Sequence, residues 1–161
     1  MIIYDADILS VFAKIDRLDL LQRLSGPILI TPQIKEEISI PAQYGYQFPS
    51  RILKAASTLP LTAEEMATYE ALRETLGRGE SEGISLAKHR NYIFATNDKV
   101  AFKFAVKEKV AAINLQVILR ALFLSNSLTR KEILSLAEEM NIKDGLIIPQ
   151  NDLDDILADD E

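Results

Sequence analysis

The amino-terminal stretch decides the fold class. Residues 2–7 read Ile2-Ile3-Tyr4-Asp5-Ala6-Asp7. A short apolar run that ends at an acidic residue is typical of a buried strand that leads into a helix. We place the N-cap of this helix at Asp7 and expect the helix to continue towards Leu24. The chain therefore starts with a strand–helix unit.

The same alternation of strand and helix recurs along the chain. Apolar runs predict further strands at 28–30, 92–95 and 110–113. Helix starts are indicated by an N-cap followed by proline at Thr31-Pro32 and by capping boxes at Thr62 and Thr129. Strands that alternate with helices favour a parallel sheet. We therefore predict an α/β fold, a three-layer α/β/α sandwich with a mainly parallel central sheet.

The 161 residues favour a single domain, which we place at residues 1–145. Within it, the proline-bounded residues 39–61 are interpreted as an insertion or flap, and residues 129–140 as a C-terminal helix. The formal charge is -6, from 24 acidic and 18 basic side chains. Residues 151–161 hold six acids and no base, so this acidic tail, which we predict to be disordered, accounts for the whole net charge.

Composition limits the chemistry. The chain has no cysteine and only one histidine, His89, which excludes disulfides, thiol nucleophiles and multi-histidine metal sites. Any metal must therefore be held mostly by oxygen ligands, which suit Mg²⁺ or Mn²⁺. The apolar stretch 110–124 is interrupted by polar residues and is too short for a membrane span, and the start lacks a signal-peptide pattern. We expect a cytoplasmic protein without a membrane partner.

Acidic side chains follow the predicted strands. They are Asp5 and Asp7, Glu36 and Glu37, Glu80 and Glu82, and Asp98. In a parallel sheet the carboxyl ends of the strands meet at one edge, so these carboxylates can converge. Clustered carboxylates repel each other unless a cation neutralises them, and a divalent cation among them suits phosphoryl or phosphodiester chemistry. Alternatively, each acid is only a helix cap favoured by the helix dipole.

Four motifs in this order resemble those of the PIN-domain family, in particular its VapC-toxin-like nucleases or their uncharacterised prokaryotic relatives. They are Ile2-Ile3-Tyr4-Asp5-Ala6-Asp7, Thr31-Pro32-Gln33-Ile34-Lys35-Glu36-Glu37-Ile38, Gly77-Arg78-Gly79-Glu80-Ser81-Glu82-Gly83-Ile84 and Thr96-Asn97-Asp98. The resemblance extends to about Met140. It implies metal-dependent hydrolysis of RNA phosphodiester bonds, with water attacking in line.

The resemblance also implies the roles of individual residues. The four catalytic and metal-binding acids would be Asp5, Glu37, Glu80 and Asp98 around Mg²⁺ or Mn²⁺, and the auxiliary residues would be Asp7, Glu82 and Asn97. Glu37 is chosen over Glu36 because family spacing puts the acid three residues after Ile34. The implied partners are an RNA substrate, an antitoxin protein if the chain is the toxin of such a pair, and further copies of the chain in a homodimer or higher oligomer.

Basic side chains near the acids are candidates for binding nucleic acid. Lys99, Lys103 and Lys107 recur every four residues and so share one helix face, and Arg78 lies two residues before Glu80. A plain solvated helix face is the alternative for the three lysines.

Two other functions stay open at this point. Asp7 stands where relatives commonly have Ser, Thr or Asn, and the arginine that follows the fourth acid in many relatives is missing. These departures suggest a catalytically weak module that binds nucleic acid or protein. The pair Asp5 and Asp7 after a strand also mimics the nucleophile and acid of haloacid-dehalogenase-like phosphatases, although Leu9 stands where that motif usually has Thr or Val.

Overall fold

The computed structural model describes residues 1–159, and within them five strands form one sheet in which every pairing is parallel. The strand order is β3-β2-β1-β4-β5. The strands are β1 (Ile2–Tyr4), β2 (Ile28–Ile30), β3 (Ala56–Thr58), β4 (Ile93–Ala95) and β5 (Ala112–Ile113). In register, Ile3 lies beside Leu29 on one side and Phe94 on the other. All five carboxyl ends therefore meet at one edge of the sheet.

Helices connect the strands. They are α1 (Ala6–Lys14), α2 (Leu18–Ser25), α3 (Pro32–Ser39), α4 (Phe48–Ala55), α5 (Ala63–Leu72), α6 (Arg78–Arg90), α7 (Lys99–Lys107), α8 (Leu115–Leu124), α9 (Arg130–Asp144) and α10 (Gln150–Ile156), with a 3₁₀ helix at Ile40–Tyr44. The predicted α/β/α sandwich around a parallel sheet is confirmed. Among residues 1–159, no helix is long and apolar enough to cross a membrane.

The core lies between the sheet and its helices. The central strand β1 and its neighbour β2 are buried along their whole length. The side chains of Phe12 on α1, Ile34 on α3 and Ile84 on α6 have no exposed surface. Such complete burial on both faces explains why these strands are continuous apolar runs and not alternating ones.

The first helix differs from the prediction at both ends. Its N-cap is Asp5, whose side chain accepts from the backbone N–H of Ala6, and Asp7 lies in the first turn. The helix ends at Lys14 because Asp16 adopts a left-handed conformation (φ 57°), and α2 begins at Leu18. Asn and Asp adopt this conformation more readily than other residues with side chains. Two helices therefore replace the single one that apolar spacing predicted.

The segment 39–61, interpreted as an insertion or flap, is folded onto the body. It contains the 3₁₀ helix, α4 with the fully buried Ile52, and β3, which pairs with β2 as an edge strand. Sequence reasoning missed β3 because Ala56-Ser57-Thr58 is short and weakly apolar. Backbone hydrogen bonds to β2, not side-chain burial, place this strand.

The acidic tail is not disordered throughout, which corrects the prediction for residues 151–157. Residues 150–156 form α10, in which Ile156 is completely buried, and Leu157 after it is also buried. The Arg120 guanidinium donates to the carbonyls of Asp155 and Ile156, and Arg130 donates to that of Leu157. Acid count alone predicted disorder, whereas two apolar anchors and two arginines hold this helix. Asp160 and Glu161, also part of the predicted tail, lie outside the described residues.

Candidate functional site at the carboxyl edge of the sheet

Two neighbouring strands, β1 and β4, each end at an acid that caps the next helix. Asp5 caps α1, and Asp98 caps α7 by accepting from the backbone N–H of Ala101 at 2.8 Å. Thr96 links the two acids: its hydroxyl donates to Asp5 Oδ2 at 2.8 Å and accepts from the backbone N–H of Asp98 at 3.2 Å. Asp5 and Thr96 are both buried, so this link is shielded from water.

Asp7 ties the same two turns together a second time. Its Oδ2 accepts from the backbone N–H of Asn97 at 2.9 Å, and its Oδ1 accepts from that of Ile8 at 2.7 Å. The side chain of Asn97 points elsewhere, since its Oδ1 accepts from the backbone N–H of Leu115 at the start of α8. Asn97 therefore positions the start of α8 and does not orient Asp98 through its side chain.

Glu37 reaches the site from α3. Its Oε1 accepts from the backbone N–H of Gly79 at 3.0 Å. A Cβ atom at position 79 would lie 2.7 Å from both oxygens of that carboxylate, so the glycine is required for this close approach. Glu36 is exposed, whereas Glu37 is half-buried. The structure thus brings Glu37, and not Glu36, to α6.

The first turns of α6 carry the two remaining acids. Glu80 Oε2 accepts from the backbone N–H of Gly77 at 3.1 Å. Glu82 is buried, and its Oε2 accepts from the backbone N–H of Gln33 in the first turn of α3 at 2.7 Å. A Cβ atom at Gly83 would lie 2.5 Å from the ring of Phe94, so this glycine lets α6 pack on β4. Glu82 therefore joins α6 to α3 next to the site.

Burial and mutual repulsion change the acidity of these carboxyls. Burial and, after it, the charge of Asp7 raise the pKa of Asp5 to about 8, although the Thr96 hydrogen bond opposes the rise. Burial, and then the charges of Asp98 and Glu80, raise the pKa of Asp7. Burial raises the pKa of Glu80, and the charge of Asp98 raises it as well.

Glu37 is affected by the neighbouring carboxylates in the same way. Burial raises the pKa of Glu37, and the charges of Glu80, Asp7 and Glu82 add to the rise. Charges that raise each other's pKa in this way are close in space, so these carboxylates are near neighbours at the carboxyl edge of the sheet. In the described part of the chain, none of the ion pairs joins one of these acids to a Lys or Arg.

The donor set fits a hard divalent cation. It consists of carboxylate oxygens whose negative charge no basic side chain of residues 1–159 offsets by an ion pair. The hydrogen bonds described for Glu37, Glu80 and Asp98 engage one oxygen of each carboxylate, which leaves the second for a cation. Within the same residues, however, no group of three or more Asp, Glu or His side chains is already arranged to hold a metal ion.

The predicted basic residues surround the site unequally. Lys99 and Lys103 are exposed and line a cavity that also reaches Asp98. Lys107, also exposed, lies over the ring of Phe104, 5.7 Å from its centroid. Arg78 is exposed at the first residue of α6, two positions before Glu80.

No role for Thr96 was predicted from the sequence. The residue was visible between β4 and Asp98, but a threonine at that point carries no signal of its own. Its contact to Asp5 joins residues 91 positions apart, which only the folded chain brings together. The close approach of Glu37, which explains the glycine at position 79, is likewise visible only in the folded chain.

Comparison with known proteins agrees with this architecture. A family model described as a PIN domain matches residues 1–160. None of the curated proteins compared matches the chain. The match covers nearly the whole sequence, and the fold is the parallel α/β/α sandwich expected from the motifs. The PIN fold is in general a nuclease fold, and its family differs from that of the haloacid-dehalogenase-like phosphatases, which argues against the phosphatase alternative. The chain belongs to the PIN-domain family.

Proposed function

We propose that this protein is a metal-dependent ribonuclease that hydrolyses RNA phosphodiester bonds. One observation carries the proposal: Asp5, Glu37, Glu80 and Asp98 lie at one edge of the sheet without a basic ion-pair partner in the described chain. Carboxylates that lie close together repel each other, and one that is buried, as Asp5 is, is costly unless a cation or a proton neutralises it. Mg²⁺ or Mn²⁺ at this position would also face any phosphate that enters the edge.

The four acids have distinct roles in this proposal. Asp5 and Asp98 stand on the ends of strands and are held by N-cap hydrogen bonds, so they would form the rigid half of the cation site. Glu37 and Glu80, which are longer and half-buried, would rotate to complete it. A bound divalent cation would neutralise these acids and polarise the phosphodiester for attack by water. Asp7, Glu82 and Asn97 would hold the surrounding turns in place.

The test measures metal binding and cleavage in the same variants. Asp5→Asn and Asp98→Asn keep the size of the side chain, and Asn remains a good N-cap, so they remove charge without removing the caps. Calorimetric titration with Mn²⁺ should show binding by wild type and none, or at least about ten-fold weaker binding, by each variant. The matched control Asp16→Asn changes an exposed acid at a helix end and should bind like wild type. Metal binding that is unaffected by both site variants would overturn the proposal.

A catalytically weak binding module is the second candidate. It is favoured by Asp7, which stands where relatives commonly have Ser, Thr or Asn, and by the lack of the arginine that follows Asp98 in many relatives. RNA labelled at its 5′ end and incubated with Mn²⁺ separates the two. Cleavage lost in Asp98→Asn supports the nuclease, whereas RNA binding without cleavage by wild type supports the module.

We further propose a cytoplasmic role as the toxin of a toxin–antitoxin pair, with an antitoxin partner and a homodimer or higher oligomer as its working form. The resemblance to VapC-toxin-like nucleases supports this proposal. Induced expression should arrest growth, and co-expression of the antitoxin should restore it. Light scattering during size exclusion measures the mass in solution, and a monomer would contradict the oligomer.

A further inference from the structure

A cavity of about 510 Å³ opens beside Asp98, on the side away from β1. Residues at the starts of α7 and α8 form one side of it, and the segment 146–149 with Asp152 and Ile156 of α10 forms the other. Its volume lies within the roughly 300–1,000 Å³ typical of small-ligand sites. We call the cluster of Asp5, Glu37, Glu80 and Asp98 the acidic site. Asp98 of this site and Thr96, which contacts it, also line the cavity, so the cavity and the acidic site are continuous.

The wall opposite Asp98 is firmly built. Gly145 adopts a left-handed conformation (φ 74°) that turns the chain out of α9. Leu146 and Ile148 then pack against the hydrophobic core. The end of α10 is held by Arg120 and Arg130, which donate to the backbone carbonyls of the last turn. The cavity is therefore a property of the packed fold.

The lining combines apolar side chains with a charged rim. The interior is formed by the half-buried Phe102 with Leu115 and Ile156. Lys99 and Lys103, both exposed, stand on the rim next to the acidic site. An aromatic ring and aliphatic side chains suit the face of a nucleobase, and the lysines suit the phosphates that flank it.

One acidic side chain, Asp152, also lines the cavity. It lies half-buried in the first turn of α10. A carboxylate repels phosphate but accepts a hydrogen bond from an exocyclic amino group, as carboxylates do with cytosine N4. Adenine, guanine and cytosine carry such a group, and uracil has none.

We propose that this cavity binds one nucleobase of single-stranded RNA next to the scissile phosphate and prefers bases with an exocyclic amino group. The inference rests on the proposed function, since the strand must pass Asp98 for the base to enter. Single-stranded RNA is required because a paired base cannot leave its stack without losing its partner. Phe102 would stack on the base, Asp152 would accept from its amino group, and the two lysines would contact the flanking phosphates.

The test needs neither metal nor cleavage. Nucleoside 5′-monophosphates are titrated into the full chain in EDTA and followed by amide chemical shifts. AMP, GMP and CMP should shift the amides of residues 99–103, 115–116 and 146–148, and should bind about five-fold more tightly than UMP. Shifts confined to other residues, or equal affinity for all four nucleotides, would overturn the proposal.

Variants separate stacking from amino-group recognition. Phe102→Leu should weaken binding of all four nucleotides about five-fold or more. The control Phe104→Leu changes a half-buried ring on the same helix that packs on the core and does not line the cavity, so it should leave nucleotide affinity unchanged. Asp152→Ala should abolish the preference over UMP, and a preference that persists in this variant would exclude the role of Asp152. If Phe102→Leu does not fold, Asp152→Ala decides the matter, because it changes a side chain outside the core.

Failure of this inference can be told apart from failure of the nuclease proposal. If the protein binds nucleotides at this cavity but neither binds Mn²⁺ nor cleaves RNA, the base-site inference is supported and the nuclease proposal is refuted. If the protein cleaves RNA but nucleotides cause no amide chemical-shift changes at the cavity, the nuclease proposal is supported and the base-site inference is refuted.

Discussion

The Thr96 hydroxyl donates a hydrogen bond to the Asp5 carboxylate at 2.8 Å, and neither side chain is more than 4 % exposed. Because the same hydroxyl accepts from the backbone N–H of Asp98, one small side chain sets the spacing of the acids that end β1 and β4. The site is thus organised by a residue that carries no charge.

Removing this hydroxyl should loosen the site. Thr96→Val keeps the shape of the side chain but leaves Asp5 Oδ2 and the backbone N–H of Asp98 without this partner, at a cost of about 1–3 kcal/mol in free energy of unfolding. Mn²⁺ affinity should fall about ten-fold, as for other residues that orient ligands. Urea unfolding and calorimetry measure the two effects. The control Thr68→Val removes an exposed hydroxyl bonded to His89 and should change neither.

The metal-free protein should lose stability as the pH rises. The pKa of Asp5 is about 8 in the folded protein, against an ordinary value of 3.8 that we take for the unfolded chain. Between these values the folded state holds the proton more often, so its contribution to stability is full below about pH 4 and is lost as the pH rises through about 8. Thermal unfolding in EDTA from pH 5 to 9 measures this trend. Asp5→Asn should flatten it and raise the melting temperature at pH 8 by about 2–4 °C, the shift that 1 kcal/mol produces in a domain of roughly this size. A melting temperature of wild type that increases over this range would contradict the assignment.

Two glycines of α6 should respond differently to alanine. At position 79 a Cβ atom meets the carboxylate of Glu37, the end of a flexible side chain that can move away. Gly79→Ala should therefore retain stability and weaken Mn²⁺ binding. At position 83 the Cβ atom meets the buried ring of Phe94, so Gly83→Ala should lower the free energy of unfolding by about 1–3 kcal/mol. Equal stability losses in both variants, measured by urea unfolding, would show that the Glu37 contact does not explain Gly79.

The two rim lysines should govern the salt dependence of RNA binding. A double variant Lys99→Ala/Lys103→Ala should reduce the slope of log affinity against log salt by about 0.7 for each single-strand phosphate that these lysines neutralise in the wild type. Fluorescence anisotropy with an oligonucleotide that lacks 2′-hydroxyls measures binding without cleavage. Lys143→Ala, which changes a lysine paired with Glu139 on α9, serves as the control and should retain the wild-type slope.

The docked tail should contribute to stability. Ile156→Ala removes a completely buried side chain of α10 and should lower the free energy of unfolding by about 2–4 kcal/mol. Ile142→Ala changes an isoleucine that is 73 % exposed and should change it by less than about 0.5 kcal/mol. A chain as stable with Ile156→Ala as without it would restore the prediction of a disordered tail.

Local sequence patterns are enough to predict the class of fold and the set of candidate acids. Apolar runs that end at Asp5 and before Asp98 place both acids at strand ends, and capping boxes at Thr62 and Thr129 start helices where they were predicted. These features are local: a buried strand needs apolar neighbours, and a helix start needs a side chain that accepts from its first N–H groups. Features of this kind can be predicted from the sequence because they depend on residues that are neighbours in the chain.

The contacts that hold the acids, and the cavity beside them, arise from packing between distant parts of the chain. The contacts of Thr96 with Asp5 and of Gly79 with Glu37 join residues 91 and 42 positions apart. The burial of Ile156 depends on the surface of α8 and on the carbonyl contacts of Arg120. Such contacts depend on which surfaces meet when the sheet and helices pack, and composition and periodicity do not contain that information. For this reason the acids were predicted from the sequence, whereas the hydroxyl that spaces them and the cavity beside them were found only in the fold.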